Sequence, residues 1–247
     1  MTYSGLDSKV VVVTGAAQGI GLGYAQRLAK EGATVALVDR SERIHDAAEG
    51  IGSAHVVDVS DPDSCAALAA ALDSRYGRID GLLNNAAIFS TLEMKPFWEI
   101  TVEEWDLLMA VNLRGPWLVT SSMLPLLRKS AAASVVNVGA DAVNMGRPGY
   151  LHYVASKGGV TAMTFSMSHE LGEFGIRVNT LSHGPIYTEV ARETVSPAQK
   201  EAMIARQALH RTGVPDDLTS LAAFLLSDDS SYLTGQTISV NGGLIHR

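Results

Sequence analysis

The sequence predicts a single α/β domain built on a doubly wound, parallel, seven-stranded sheet. Two observations lead there. Short runs rich in β-branched residues alternate along the whole chain with longer segments whose apolar residues recur at helical spacing. The first such run also feeds directly into a glycine-rich turn and then a helix. Parallel strands need crossover connections, and crossovers through helices cover both faces of the sheet. No linker-like stretch divides the 247 residues, so residues 1–247 are read as one domain.

Taken in order, strands are expected at 9–14, 34–38, 55–57, 81–83, 134–138, 177–181 and 237–240. Helices are expected over about 20–31, 62–76, 101–129, 150–173 and 215–227, where apolar residues fall at i, i+3 and i+4. Asp61-Pro62, Thr101 and Val214-Pro215 supply starts for three of them. Residues 187–212 break the alternation. They are polar, contain Ser196-Pro197, and read as one or two short helices laid as a lid over the carboxyl ends of the strands.

The composition, 47% hydrophobic and 18% charged with a formal net charge of −7, describes a well-filled core and not a disordered chain. No basic stripe exists to neutralise phosphates, so nucleic acid is not an expected partner. No apolar run approaches the ~20 residues of a membrane helix, and residues 1–9 are too polar for a signal peptide; a cytoplasmic protein without membrane contact is expected. Cys65 is the only cysteine, which rules out an intramolecular disulfide. No metal site is expected either: there is no cysteine cluster, and His169-Glu170 lacks a second histidine four residues after the first.

The loop Thr14-Gly15-Ala16-Ala17-Gln18-Gly19-Ile20-Gly21 lies where a phosphate-binding turn belongs. Its glycines permit a tight turn, let backbone approach a pyrophosphate, and expose the N–H groups and positive dipole of the following helix. An ordinary strand-to-helix turn is the competing reading. Asp39 ends the second strand 18 residues after Gly21, close to the spacing of about 20 at which an acid meets the adenosine ribose. A carboxylate there repels a 2′-phosphate, which favours NAD over NADP. Arg40 beside it is either a solvated turn charge or a group that stacks on adenine or holds a phosphate.

The three residues between the first two glycines depart from the general dinucleotide fingerprint. This loop resembles the TGxxxGxG loop of the short-chain dehydrogenase/reductase family. Asp58-Val59 resembles the family's adenine-contacting pair, Asn84-Asn85-Ala86-Ala87 its NNAG segment, and Asn112 its helix asparagine. Tyr153 through Lys157 is similar to its YxxxK motif, and Asn179 through Thr188 to its NxxxPGxxxT stretch. The matches span about 14–243. They resemble most the NAD-dependent alcohol dehydrogenases and ketoreductases, which implies a Rossmann fold, hydride transfer between NAD(H) and a secondary alcohol or ketone, and a homotetramer or homodimer. The resemblance implies a cofactor site of Gly15, Gln18, Gly19, Ile20, Gly21, Asp39, Asp58, Val59, Asn85, Ile186 and Thr188, joined by Tyr153 and Lys157. It implies a catalytic set of Tyr153, Lys157 and Asn112.

At i and i+4 on a helix, Tyr153 and Lys157 share one face. A phenol with a pKa of ≈ 10 is a poor base near neutrality, but a nearby ammonium stabilises the phenolate. Tyr153 is then able to take an alcohol proton as hydride leaves, or to return it to a carbonyl. By resemblance Lys157 also holds the nicotinamide ribose, Asn112 supports a water leading to Lys157, and Thr188 captures the nicotinamide amide. A helix-surface amide and a helix N-cap are the plain alternatives for Asn112 and Thr188.

One departure bears on chemistry. Relatives carry a serine 13 residues before the tyrosine, where this chain has Ala140. Loss of such a donor costs on the order of 3 kcal/mol of transition-state stabilisation. Candidate replacements are Asp141, Asn144, His152 and His183, the last standing where relatives have proline. The alternatives are an imine- or alkene-directed reductase, in which Asp141 faces a cationic substrate, and a non-catalytic NAD-binding regulator. Ala87 and Asn241, in place of glycine and aspartate, are smaller departures. The substrate, a small molecule, is expected to meet Ala140, Asp141, His183 and Tyr187, in a pocket also lined by Phe89, Trp98, Met145, Tyr150 and Leu151. Phe97-Trp98 has a second use, packing under the helix start at Glu103-Glu104-Trp105.

Overall fold

The computed structural model describes residues 3–190 and 195–246. The first half runs β1 (Val10–Thr14), α1 (Gly19–Lys30), β2 (Thr34–Asp39), α2 (Ile44–Ala47), β3 (Gly52–Val56), α3 (Pro62–Tyr76) and β4 (Gly81–Asn84). The second continues through α4 (Val102–Met109), α5 (Gly115–Leu127), β5 (Ser134–Val138), α6 (Ala142–Met145), α7 (Leu151–Gly172), β6 (Arg177–His183), α8 (Pro197–Ala205), α9 (Asp216–Leu226) and β7 (Thr237–Val240). All seven strands are parallel, in the order β3-β2-β1-β4-β5-β6-β7. The strand order reverses between β1 and β4, which opens a crevice at their carboxyl ends.

The strand code is plainest in β1. Its four consecutive valines are needed because both faces of the strand are covered. Val11 and Val13 join one core with Leu28, Leu37 and Leu226, while Val10 and Val12 join the other with Leu72, Leu82 and Leu127. Helix starts follow their caps. Asp61 accepts from the Asp63 and Ser64 amides, and Thr101 forms a capping box with Glu104.

Two boundaries differ from expectation. β3 begins at Gly52, three residues early, because pairing with β2 draws in Gly52, Ser53 and Ala54, which carry little hydrophobic signal. The single helix expected over 101–129 is two, joined by a π-helical turn at Ala110–Arg114. Such turns concentrate at functional positions, and this one contains Asn112.

A chain of buried side chains crosses the second half of the sheet. The Asn84 amide donates to Thr120 Oγ1 at 3.0 Å and to Asn137 Oδ1 at 2.9 Å. Asn137 donates in turn to Thr164 Oγ1 at 2.9 Å, and Thr180 donates to the same hydroxyl at 2.8 Å. These bonds link β4, β5 and β6 to α5 and α7.

Gly21 marks where α1 meets the loop. A Cβ there would lie 2.0 Å from the carbonyl oxygen of Gly15, so the close approach admits no side chain. At Gly172, by contrast, an added methyl meets nothing. Gly21→Ala should therefore cost about 1–3 kcal/mol through overpacking, whereas Gly172→Ala should gain about 0.5–1 kcal/mol by restricting the unfolded chain. Urea melts of the two variants check the opposite signs.

Candidate active site

The loop between β1 and α1 is held from both sides. Gly15 and Gly19 adopt φ values of 67° and 60°, which a side chain disfavours. The Asn85 side chain donates to the carbonyls of Thr14 and Gly15, and Thr14 Oγ1 receives the Asn85 and Ala86 amides. Asp39 accepts from the Ala17 amide at 3.1 Å and from the Ser41 amide at 3.0 Å. The end of β2 is thus tied to the glycine loop. At the start of α1, Gln18 provides no side-chain cap, and the Gly19 amide instead donates to Glu189 Oε1 at 2.7 Å. An anionic oxygen already rests where a helix N-terminus holds phosphate.

These residues line a groove of about 430 Å³. Gly15, Gln18, Gly19, Ile20 and Gly21 form one wall, and Asp39, Arg40, Arg43, Asp58 and Val59 another. Asn85, Tyr153, Lys157, His183 and Thr188 complete it. Two hydrogen bonds from Ser60 hold the Asp58 carboxyl below its ordinary pKa. The groove therefore fits a dinucleotide: backbone amides for a pyrophosphate and carboxylates on the ribose side. Ile186 is the exception among the expected cofactor residues, being buried and bridged to Gly213 instead of lining the groove.

Tyr153 and Lys157 emerge from one face of α7. Tyr153 is nearly buried, its ring 4.6 Å from that of Phe89. Lys157 is fully buried and donates to the Val138 carbonyl at 2.7 Å; burial pushes its amine down to about 8. Asn112, in the π turn, is buried and not on a helix surface. It accepts from the Ile88 amide at 2.7 Å and donates to the Ile88 carbonyl at 3.1 Å, so it clamps the loop after β4.

Ala140 packs in one cluster with Tyr153. With Phe89, Met145, Tyr153 and His183 it lines a small cavity of about 30 Å³. Of the four candidate replacements, only His183 faces it, and His183 also lines the groove. Its Nδ1 lies 2.8 Å from the Gly184 carbonyl; a carbonyl only accepts, so Nδ1 carries the hydrogen and Nε2 is the acceptor of the neutral ring.

Asp141 is taken up elsewhere. It is fully buried and accepts from Ser182, Ser239 (2.8 Å) and Asn241 (2.6 Å), outside the linings of the groove, of the small cavity and of a larger cavity beside it. Asn241 also receives the Gly243 and Leu244 amides. The candidate donor Asp141 and the departure at Asn241, read separately in the sequence, are thus one contact, which locks the C-terminal segment. Asn144 is exposed on α6. His152 is buried near Lys95 and Glu104, and burial lowers its pKa; its Nδ1 has no hydrogen-bond partner among the described residues.

The expected aromatic lining holds in part. Phe89, Met145 and Tyr187 line cavities, and Tyr150 packs under Phe89. Trp98 and Leu151 are 72% and 46% exposed and line neither the groove nor the cavities. Phe97 is also exposed and meets Trp98 edge to face, so the pair does not pack under the α4 start. Sequence reasoning missed Arg43, Glu189 and Arg147. Arg43 sits one turn after Arg40 and Glu189 follows Thr188, and neither neighbourhood singles them out. Among the described residues no group of three His, Cys, Asp or Glu side chains could hold a metal ion, and no helix is long and apolar enough to cross a membrane.

Comparisons with known proteins agree with this geometry. Residues 15–245 match the family model described as enoyl-(acyl carrier protein) reductase. The chain is 38% identical to a 3-oxoacyl-(acyl-carrier-protein) reductase of Thermotoga maritima, over 97% of this chain and 99% of that one. It is 34% identical to cyclopentanol dehydrogenase of Comamonas testosteroni, over 96% and 97% of the two chains. It is 35% identical to galactitol 2-dehydrogenase of Agrobacterium fabrum, over 96% and 98%. A solved structure described as a short-chain alcohol dehydrogenase from Sinorhizobium meliloti superposes with a TM-score of 0.90 at 28% identity, covering 98% of this chain and 97% of that one. The glycine loop, the YxxxK pair and these relatives together place the chain in the short-chain dehydrogenase/reductase family, a family of oxidoreductases that bind a nicotinamide cofactor.

Proposed function

We propose that this protein is an NAD-dependent secondary-alcohol dehydrogenase or ketone reductase in which Tyr153 is the acid/base. The observation that carries the reading is the position of Tyr153, which lines both the cofactor groove and the small cavity at Ala140. With Phe89 and His183 it forms the shared wall, and on it a substrate oxygen reaches a proton donor beside the hydride path. Bound NAD(H) supplies or accepts the hydride at the substrate carbon. Tyr153 takes the alcohol proton as the hydride leaves, or gives it to the carbonyl oxygen in the reverse direction. Lys157, as ammonium, favours the phenolate. Asn112 fixes the loop that carries Phe89 against the Tyr153 ring.

The cofactor is NAD on this reading because Asp39 presents a carboxylate to the ribose end. The two guanidiniums beside it, Arg40 and Arg43, make NADPH the comparison to run. In place of the missing serine, His183 contacts the substrate oxygen: neutral Nε2 accepts from an alcohol, and the imidazolium donates to a carbonyl. An imine-directed site loses the counter-ion expected for a cationic substrate, since the Asp141 carboxylate is not in the cavity linings. A non-catalytic regulator has no need of an intact Tyr153–Lys157 pair. We further propose a cytoplasmic homodimer or homotetramer, with residues 187–212 as the cover of the site. Residues 191–194 of that segment lie outside the described residues.

Steady-state oxidation of NADH and NADPH across ketones and cyclic imines tests this. Ketones with NADH should turn over fastest, Ala140→Ser should raise ketone turnover by tens-fold, and Tyr153→Phe should lower it by about 10²–10⁴ while NADH still binds. Unchanged turnover in the phenylalanine variant would overturn the assignment.

Lys157 yields a second expectation. Its depressed pKa means that the folded protein holds a disfavoured charge at every pH below about 8, and that this cost fades as pH rises from 8 towards the ordinary value of 10.5. Lys157→Met should therefore raise stability at pH 7 by about 1–3 kcal/mol while abolishing turnover. The stability advantage should shrink above pH 8 in thermal melts.

A further inference from the structure

Past Ala140 the small cavity adjoins a second chamber of about 260 Å³, with Met145, Arg147, Pro185 and Met203 in the walls of both. Much of the chamber is apolar, with Met94, Pro148 and Ala202 adding to that common wall. Its charged lining is of one sign. Arg147 and Arg206 line it, and neither cavity has a carboxylate among its described lining residues. The Lys200 ammonium stands 4.4 Å from the centre of the Tyr187 ring, another wall of the chamber.

Lys9, Arg27, Arg78, Lys95, Lys129 and Arg211 all pair with carboxylates. Like Arg40, Arg43, Arg114 and Arg128, the cations Arg147, Arg206 and Lys200 have no carboxylate partner among the described residues. What sets these three apart is that they line or flank one chamber whose described lining holds no carboxylate. The Arg147 guanidinium instead lies 4.6 Å above the Tyr150 ring, and Tyr150 is itself buried against Phe89. Stacking of this kind fixes the plane of the fork and leaves its N–H edge for a ligand. A planar guanidinium over an apolar floor suits a carboxylate or phosphate at the end of an aliphatic stem.

We propose that the chamber is the tail subsite of the enzyme, taking a ketone or alcohol with an apolar spacer and a distal anion, and that Arg147 is the residue selecting that anion. The inference rests on the reading of Tyr153 as the reacting end. It extends that reading from the bond transformed to the class of molecule that carries it.

The test compares 2-hexanone with 5-oxohexanoate, and with a ketone of the same length ending in phosphate, in wild type, Arg147→Gln and Arg147→Lys. Wild type should favour the anionic ketones by at least tenfold in kcat/KM. Arg147→Gln should reduce that ratio by 10- to 100-fold, chiefly through KM, Arg147→Lys should restore part of it, and added salt should erode it. Greater sensitivity for one anion assigns the head group as carboxylate or phosphate. A wild type without preference, or a ratio that Arg147→Gln leaves intact, overturns the proposal. If wild type reduces no ketone, the functional reading fails and calorimetry decides the chamber separately: octanoate should bind more tightly than octanol and lose at least tenfold in Arg147→Gln, and equal binding in both proteins refutes the subsite. Melting temperatures of both variants separate a folding defect from lost recognition.

Discussion

The placement of Tyr153 and Lys157 depends on a line of buried amides and hydroxyls running from Asn84 through Asn137 to Thr164 and Thr180. Apolar packing presses α7 onto the sheet but leaves it free to slide or rotate slightly. Directional bonds in a low-dielectric interior remove that freedom, because each broken bond leaves a buried polar atom unpaired. Thr164 lies two turns beyond Lys157 on α7, so fixing Thr164 against β5 and β6 sets where Lys157 and Tyr153 emerge. The Lys157 bond to the Val138 carbonyl then orients the ammonium at the same strand end.

Carboxylates do a complementary job at the carboxyl edge of the sheet. Asp39 binds the glycine loop to β2, and Asp141 gathers β6, β7 and the segment after β7. Glu189 rests on the first amide of α1, a position that a pyrophosphate would claim by charge and geometry. Three acids of one chemical type thus hold a loop, close a C-terminal segment and occupy an anion site. Surroundings and not residue type separate the roles.

Ala140 takes on meaning from its neighbours. Without a hydroxyl there, the polar side chains in the cavity wall beside Tyr153 are His183, at the end of β6, and Arg147. On the proposed reading the polar partner of the substrate oxygen is His183, and the space past Ala140 opens into the chamber that shares Arg147 with this cavity. On the same reading, an alanine at one wall and the cations in and beside the adjoining chamber make a site that uses binding energy along the length of a substrate as well as at the reacting oxygen.

Sequence alone determined the parallel doubly wound sheet, since strand alternation, the valine run of β1 and the glycine loop depend on local periodicity and turn chemistry. It also determined the spacing of Tyr153 and Lys157, because i and i+4 share a face on any helix. Tertiary structure decided everything that needed two distant segments: that Asp141 meets Asn241 and not a substrate, that Trp98 is exposed, that Asn112 is buried in a π turn, and that Arg147 and Arg206 share a chamber. Side-chain direction at a loop or strand end is set by packing against residues tens of positions away. No pattern within a short window records such contacts.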